Sequence, residues 1–298
     1  MRNLKRALSL ALAAIMLIGM MVVSASAASY NDLTDKDQIV NKDAVSMLVS
    51  LGIIEGKPDG SYAPTENVDR AQMAKMLSVI MNKGVDNSAL YQSVNSGLVD
   101  VNTNWAKGHI NYCYTTGIIA GRGNGKFDPS ATVTALEAAK MLLVAVGYDP
   151  KIEGFEGADW AINVSVRADE QGIFEGFTKD LSAPLNRDDA ALLIYNALDV
   201  EMIQSYTTNN YPIAYSDHRT ILADKYGVIK VQGVVVANEW ASLASDDGDA
   251  ALKEGKTTIY NGEGIFSTTG NTTVSKEDAS LKTQTFNVST PVDMLGKT

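Results

Sequence analysis

Apolar residues recur at helical spacing in three segments of the chain, and each segment follows a loop. A polar residue precedes each stripe, with an acid or amide three positions later, which is the pattern of a capped helix start. These pairs are Asp69 with Gln72, Thr134 with Glu137, and the weaker Asn186 with Asp189. The pattern predicts three capped helices whose apolar faces are core, with these stripes: Met73, Met76, Leu77 and Ile80; Ala138, Met141, Leu142 and Ala145; Ala190, Leu193, Ile194 and Ala197.

A second helix is predicted ahead of each loop, and it ends in Gly-Ile followed by Ile or Phe. Glycine favours the left-handed backbone that closes many helices. Trp105 and Trp160 stand at the same distance before this glycine in the second and third copies, whereas Val40 stands there in the first. Three helix–loop–helix copies predict a repeat architecture, in which each unit buries its apolar face against its neighbours. The three glycines are Gly52, Gly117 and Gly172.

The pattern changes after the third copy. The polar segment from Ser205 to Pro212 predicts a linker. Three later segments are rich in β-branched residues and predict strands, with one short helical signal at Asp249–Glu254. We therefore expect a β-rich module over residues 220–298, and its end shows no stop signal, which leaves open that the module continues. The predicted strands are Gly227–Ala237, Thr257–Tyr260 and Thr283–Val288.

The first residues carry the pattern of a secretion signal. Three basic residues lead into the apolar run Ala7–Val23, and Ala25-Ser26-Ala27 is a small-residue cleavage site. An apolar run of about 17 residues is marginal for spanning a bilayer, so cleavage after Ala27 is favoured over a membrane anchor. No later stretch is long and apolar enough to span a membrane, so we expect no membrane contact after cleavage.

Composition and motifs narrow the function. The formal net charge is −10, which argues against nucleic acid as a partner because duplex binding needs a basic face. Cys113 is the only cysteine, so no intrachain disulfide can form, and its apolar segment predicts a buried thiol. His109 and His218 stand far apart, and no nucleophile, metal-binding or dinucleotide motif occurs. The chain is predicted to be no enzyme and to use no cofactor or metal.

The repeated residues closely resemble the S-layer homology (SLH) family. The repeat of that family runs roughly Phe-x-Asp-Val, Trp-Ala, Gly-Ile-Ile-x-Gly, Gly-x-Phe-x-Pro and Thr-Arg-Ala-Glu. The second copy carries the series most fully, in Val99-Asp100-Val101, Trp105-Ala106, Gly117-Ile118-Ile119-Ala120-Gly121, Gly125-Lys126-Phe127-Asp128-Pro129 and Thr134-Ala135-Leu136-Glu137. The first copy has Asp69-Arg70-Ala71-Gln72, and the third has Asn186-Arg187-Asp188-Asp189.

The resemblance implies a fold and a location. We expect a mainly α N-terminal region, in which three SLH repeats form a pseudo-trimer, followed by the β-rich module. The resemblance implies that the repeats bind secondary cell-wall polysaccharide, commonly pyruvylated, and so anchor an exported protein to the bacterial surface, where S-layer proteins self-associate. The expected boundaries are 1–27 for the signal, 28–90, 91–150 and 151–203 for the repeats, 204–219 for the linker and 220–298 for the module.

The resemblance also implies site residues. Arg70 and Arg187 open motif helices, whose free N–H groups and positive dipole suit a carboxylate, and guanidinium adds a matching fork. The second copy has Ala135 at this position, so not every groove need bind. The other candidate site residues are Asp32, Asp100, Trp105, Trp160 and Gly121. They could equally be core anchors, caps or loop residues. Asp35 is an alternative to Asp32 as the motif aspartate of the first copy.

Two main functions remain open at this point. The first is a surface-layer or surface-structural protein that is anchored without a covalent bond. The second is the anchoring part of a surface enzyme, such as a glycoside hydrolase, whose catalytic domain lies beyond Thr298. An adhesin or scaffold is a third.

Overall fold

The computed structural model describes residues 29–228, 233–243, 251–260, 267–269, 273–275 and 283–297. The predicted signal peptide lies outside this part of the chain. Within it, the helices are α1 (Lys42–Ser50), α2 (Arg70–Met81), α3 (Lys107–Thr115), α4 (Ala135–Val146), α5 (Trp160–Glu170), α6 (Arg187–Ala197) and α7 (Ile221–Tyr226). The strands are β1 (Ile203–Tyr206), β2 (Pro212–Ala214), β3 (Val234–Asn238), β4 (Thr257–Tyr260), β5 (Ser267–Thr269), β6 (Thr273–Ser275) and β7 (Thr283–Phe286).

The helices follow the predicted copies, two to each copy, and the predicted caps of the first and third copies form. The Asp69 side chain accepts a hydrogen bond from the Gln72 N–H, and the Gln72 side chain accepts one from the Asp69 N–H. In the third copy the Asn186 side chain accepts from the Asp189 N–H at 2.8 Å. The three motif glycines all have positive φ angles, between 69° and 79°, so their role as helix terminators is confirmed.

The described residues fall into two compact units. The first contains the residues up to Cys113 together with Gly121–Ala135 and Phe177–Tyr195. The second contains Tyr114–Ala120, Leu136–Gly176 and the residues from Asn196 onward.

A closed ring of backbone hydrogen bonds lies at the centre of the first unit. The Val68 N–H donates to Leu185 O at 2.8 Å, the Leu185 N–H to Val133 O at 2.7 Å, and the Val133 N–H to Val68 O at 2.9 Å. All three residues are buried, and each comes two positions before the first residue of its motif helix. Because one residue from each copy takes part, the ring fixes the starts of the three motif helices around one point.

The cysteine prediction is confirmed. Cys113 is fully buried, its Sγ donates to Ala74 O at 3.4 Å, and burial raises the pKa of its thiol. A protonated, inaccessible thiol is a packing group and a poor nucleophile.

In the second unit, the segment that the sequence predicted as a linker forms a hairpin instead. β1 pairs antiparallel with β2, and the polar residues between them make the turn, with Asn210 at a φ of 63°. Asparagine tolerates this left-handed backbone, so the same composition that suggests a linker also suits a tight turn. The Tyr206 hydroxyl accepts from the Asp149 N–H and donates to Glu153, which ties the hairpin to its unit.

The β-rich module is confirmed in outline. β3, β4 and β7 form an antiparallel sheet in that order, and β5 pairs with β6. The structure adds α7, which the sequence analysis missed, with the Thr220 side chain as its N-terminal cap. The helical signal at Asp249–Glu254 lies partly outside the described residues, and 251–254 are not helical. None of the helices that the structure describes has the length and apolar character needed to cross a bilayer.

Candidate functional site

The candidate site is built around Arg187, the first residue of α6. The ring residue Leu185 precedes it by two positions, and the Arg187 N–H donates to Glu66 O at 2.8 Å. The helix start is therefore held against the loop of the first copy, although the two segments are more than a hundred residues apart in sequence.

The guanidinium of Arg187 is fixed by neutral groups of the first copy. Its Nε donates to Tyr62 O at 2.7 Å and its Nη2 to Glu55 O at 3.2 Å. The guanidinium carbon lies 4.8 Å from the centre of the Tyr62 ring, within cation–π range. The Tyr62 hydroxyl donates to Arg187 O at 2.7 Å, and burial raises the pKa of this phenol. Among the described residues, Arg187 makes no ion pair with a carboxylate.

Arg187 lines an open groove of about 260 Å³ in the first unit, hereafter the Arg187 groove. The other lining residues that matter here are Ile54, Glu55, Lys57, Gln72, Lys75 and Trp105. Trp105 is 58% exposed, so it is not a core anchor, and its ring is accessible to a ligand. An indole face suits the apolar C–H surface of a sugar, while guanidinium suits a carboxylate.

The groove is locally positive in an acidic protein. Lys57 pairs with Glu66, and Lys75 Nζ lies 3.3 Å from a Glu55 oxygen. Together with Arg187, these side chains give three positive charges against two negative ones. The chain as a whole carries a formal charge of −10, so its bulk charge repels an acidic polymer and attraction must come from this local excess.

Arg70 has a similar local geometry but is buried. Its Nε donates to Phe127 O at 2.7 Å, and its guanidinium carbon lies 4.3 Å from the centre of the Phe127 ring. Arg70 is only 4% exposed and does not line the Arg187 groove. The hydrogen bond and the burial indicate that Arg70 holds the loop of the second copy in place.

Two aspartates, Asp35 and Asp100, hold the same loops through their backbone amides. Asp100 accepts from the N–H groups of Phe127 and Asp128, at 2.9 and 2.8 Å. Asp35 accepts from those of Tyr62 and Ala63, both at 2.7 Å. Burial raises the pKa of Asp100, but the amide hydrogen bonds lower it by more, and the pKa lies below its ordinary value.

The structure places Asp35, rather than Asp32, at the position that matches Asp100. Asp32 is exposed and accepts from the Ser29 N–H at 3.1 Å, which caps a short 3₁₀ turn at Tyr30–Asp32. Neither Asp32 nor Asp100 lines the Arg187 groove. Both interact with backbone amides.

Trp160 and Gly121 do not line the Arg187 groove either. Trp160 belongs to the second unit, where it is half-buried, with Lys140 Nζ 5.6 Å from its ring centre. A Cβ on Gly121 would lie 2.8 Å from Lys126 O, so glycine is needed there for a close approach of the chain to itself. At the matched position of the first copy, Gly56 does line the groove.

Sequence reasoning missed most of the groove residues, among them Glu55, Lys57, Tyr62 and Lys75. Tyr62 takes the aromatic position of the Gly-x-Phe-x-Pro motif in the first copy, in Gly60-Ser61-Tyr62-Ala63-Pro64, so it could have been found by asking which aromatic ring faces each motif arginine. Glu55 stands at the unspecified position of the Gly-Ile-Ile-x-Gly motif, and Lys57 and Lys75 lie outside the quoted motifs, so none of the three gave a signal.

The structural features agree with comparisons to known proteins. Residues 29–74 and 99–139 match the family described as the S-layer homology domain. The chain therefore carries S-layer homology domains. The matched segments lie in the first and second predicted copies, and the third SLH copy stays a prediction.

The relatives of this chain are named as surface proteins and as enzymes. A cell surface protein of Thermoanaerobacter kivui is 27% identical over 270 residues, which cover 90% of this chain and 32% of the relative. An S-layer protein of Bacillus licheniformis is 33% identical over 113 residues, or 38% of this chain and 12% of the relative. An amylopullulanase of Thermoanaerobacterium thermosulfurigenes is 30% identical over 185 residues, or 57% of this chain and 10% of the relative.

The chain thus spans about a third of the first relative and far less of the others. Together, the domain match and the surface proteins among the relatives identify a secreted protein of the bacterial cell surface.

Proposed function

We propose that this protein is anchored to the cell wall by non-covalent binding of a secondary cell-wall polysaccharide in the Arg187 groove. The observation that carries the proposal is the pairing of a guanidinium that has no carboxylate partner among the described residues with the exposed indole of Trp105. The guanidinium suits an anionic substituent, and the indole suits the apolar face of a sugar. A pyruvate ketal on a sugar ring presents both groups together.

The ring of backbone bonds supports the proposed pseudo-trimer of SLH repeats. Val68, Val133 and Leu185 come from three copies and make equivalent bonds in a cycle, as three related units around one axis would. The groove then forms from more than one copy, with Trp105 from the second and Arg187 from the third beside the loop of the first. Anchoring therefore requires the assembled repeats rather than a single copy.

A surface-structural role, with self-association in a surface layer, is the favoured setting for this anchor. The relatives named as cell surface and S-layer proteins favour it. The match with an amylopullulanase favours the second candidate, in which the same anchor carries a surface enzyme. Sequencing the gene downstream of codon 298 separates the two, because a catalytic domain supports the enzyme and further β modules support the surface layer.

Co-sedimentation with isolated walls tests the anchor. The full chain should sediment with walls that retain their polysaccharide and stay in solution when that polymer has been stripped off. Trp105→Ala should reduce the bound fraction. Trp240→Ala is the matched control, because Trp240 is 64% exposed and lies in the β-rich module. Equal losses for both tryptophan variants, or binding to stripped walls, would overturn the proposal.

A further inference from the structure

We infer that the Glu55 carboxylate competes with acidic ligands in the Arg187 groove. It forms an ion pair with Lys75, and an acidic ligand must displace it before the ligand can bind Lys75. This inference rests on the proposed function, and it adds a residue that tunes the affinity and the charge selectivity of the same site.

The position of Glu55 supports this role. Its backbone oxygen accepts from Arg187 Nη2 at 3.2 Å, and its carboxylate lies 3.3 Å from Lys75 Nζ. A single residue therefore contacts two of the three groove cations, one through its backbone and the other through its side chain. The backbone contact leaves the charge of Arg187 uncompensated, whereas the side-chain contact neutralises Lys75.

The pair is weak enough to be displaced. The side chains of Glu55 and Lys75 are 70% and 33% exposed, and exposed ion pairs contribute little because water and salt screen them. A ligand carboxylate that also gains the Arg187 fork and the Trp105 face has more favourable contacts than Glu55 alone. A lone small anion has fewer. Glu55 therefore selects for ligands that combine acid and sugar.

The matched position in the other copies shows what this carboxylate changes. The fourth residue of the Gly-Ile-[Ile/Phe]-x-Gly motif is Glu55, Ala120 or Glu175. Lys75 and Lys140 occupy the same place in α2 and α4, five residues after the first residue of each helix. In the second copy, where the motif has alanine, Lys140 lies over the Trp160 ring. Lysine at this place is thus found against a motif carboxylate in one copy and against an indole in another.

Glu175 provides a matched control. It is exposed like Glu55, but its backbone oxygen accepts from Asn196 Nδ2 at 2.9 Å, and no ion pair of its carboxylate is found among the described residues. Glu175→Gln removes the same charge from the same motif position without touching Lys75.

Isothermal titration of the full chain with the polysaccharide released from the walls of the producing bacterium tests the inference. Glu55→Gln should lower the Kd about two- to fivefold, the range expected for releasing an exposed ion pair. The gain should vanish in Glu55→Gln combined with Lys75→Gln, and Glu175→Gln should match the wild type. Polymer whose carboxyl groups have been methyl-esterified should bind both Glu55 forms equally.

The outcomes separate this inference from the proposed function. Wild-type protein that prefers the native over the esterified polymer, together with an unchanged or higher Kd for folded Glu55→Gln, would overturn the role of Glu55 and leave the anchor intact. Wild-type protein that binds both polymers equally, or neither, would overturn carboxylate recognition and the role of Glu55 with it.

Discussion

Arg70 and Arg187 occupy the same motif position and make similar local contacts, yet Arg187 lines the Arg187 groove and Arg70 does not. Each donates its Nε to a loop carbonyl at 2.7 Å and lies over the aromatic ring of the same residue. Arg70 is 4% exposed, whereas Arg187 is partly exposed and lines the groove together with Trp105. The motif arginine is therefore first a structural residue that locks one copy onto the next. Ligand binding is an additional role that depends on what surrounds it.

Among the substitutions that test this comparison, Arg70→Ala should have the largest effect, and that effect should be on the stability of the fold. Arg70→Ala removes a charge-assisted hydrogen bond and leaves Phe127 O without that donor in a buried setting, so the free energy of unfolding should fall by about 3 kcal/mol. Urea denaturation measures the loss. Arg122→Ala, at an exposed arginine, should change it by less than about 0.5 kcal/mol. Similar small losses for both variants would contradict the structural role of Arg70.

The next largest effects are expected at Asp35 and Asp100, which accept hydrogen bonds from loop amides and are called the aspartate clamps here. Asp35→Ala removes the acceptor for two amides, so we expect about 2 kcal/mol of lost stability. Wall binding should also weaken, because Tyr62 O, which receives Arg187 Nε, is no longer held. Asp32→Ala is the control and should leave binding unchanged, since Asp32 caps only a short 3₁₀ turn that does not line the groove. If Asp32→Ala reduced wall binding more than Asp35→Ala, the assignment of Asp35 as the counterpart of Asp100 would be wrong.

The smallest effect is a pH dependence of stability that arises from Asp100, the second aspartate clamp. The pKa of Asp100 is lowered in the folded state, so its stabilising contribution is complete above the unfolded pKa, about 3.9, and is lost as the pH falls through the folded value. Asp100→Asn should be less stable than the wild type at pH 6, and the difference should shrink towards pH 2. Melting temperatures across this range measure it. A difference that stays constant with pH would contradict the clamp.

Much of the fold could be predicted from the sequence because it depends on local chemistry. The Asp69–Gln72 capping box and the positive φ of Gly52 are set within a few residues, and both were predicted correctly. The hairpin at 203–214 was mistaken for a linker because a polar turn and a polar linker share the same composition.

The site was harder to predict because it is assembled over long distances. Tyr62 and Arg187 exchange hydrogen bonds across 125 positions, and no local pattern records which loop meets which helix. The different burial of Arg70 and Arg187 arises in the same way. Val40 shows the converse, since it takes the place of the motif tryptophan and is 82% exposed, as a surface position would be.

The most direct test of the central claim is the affinity of wall polysaccharide for Arg187→Gln, with the melting temperature as a check that the variant is folded. Glutamine removes the charge and can still donate to Tyr62 O. We predict binding weaker by roughly ten- to a hundredfold, the loss expected for one charge-assisted hydrogen bond. Wild-type affinity in a folded Arg187→Gln protein would contradict the account.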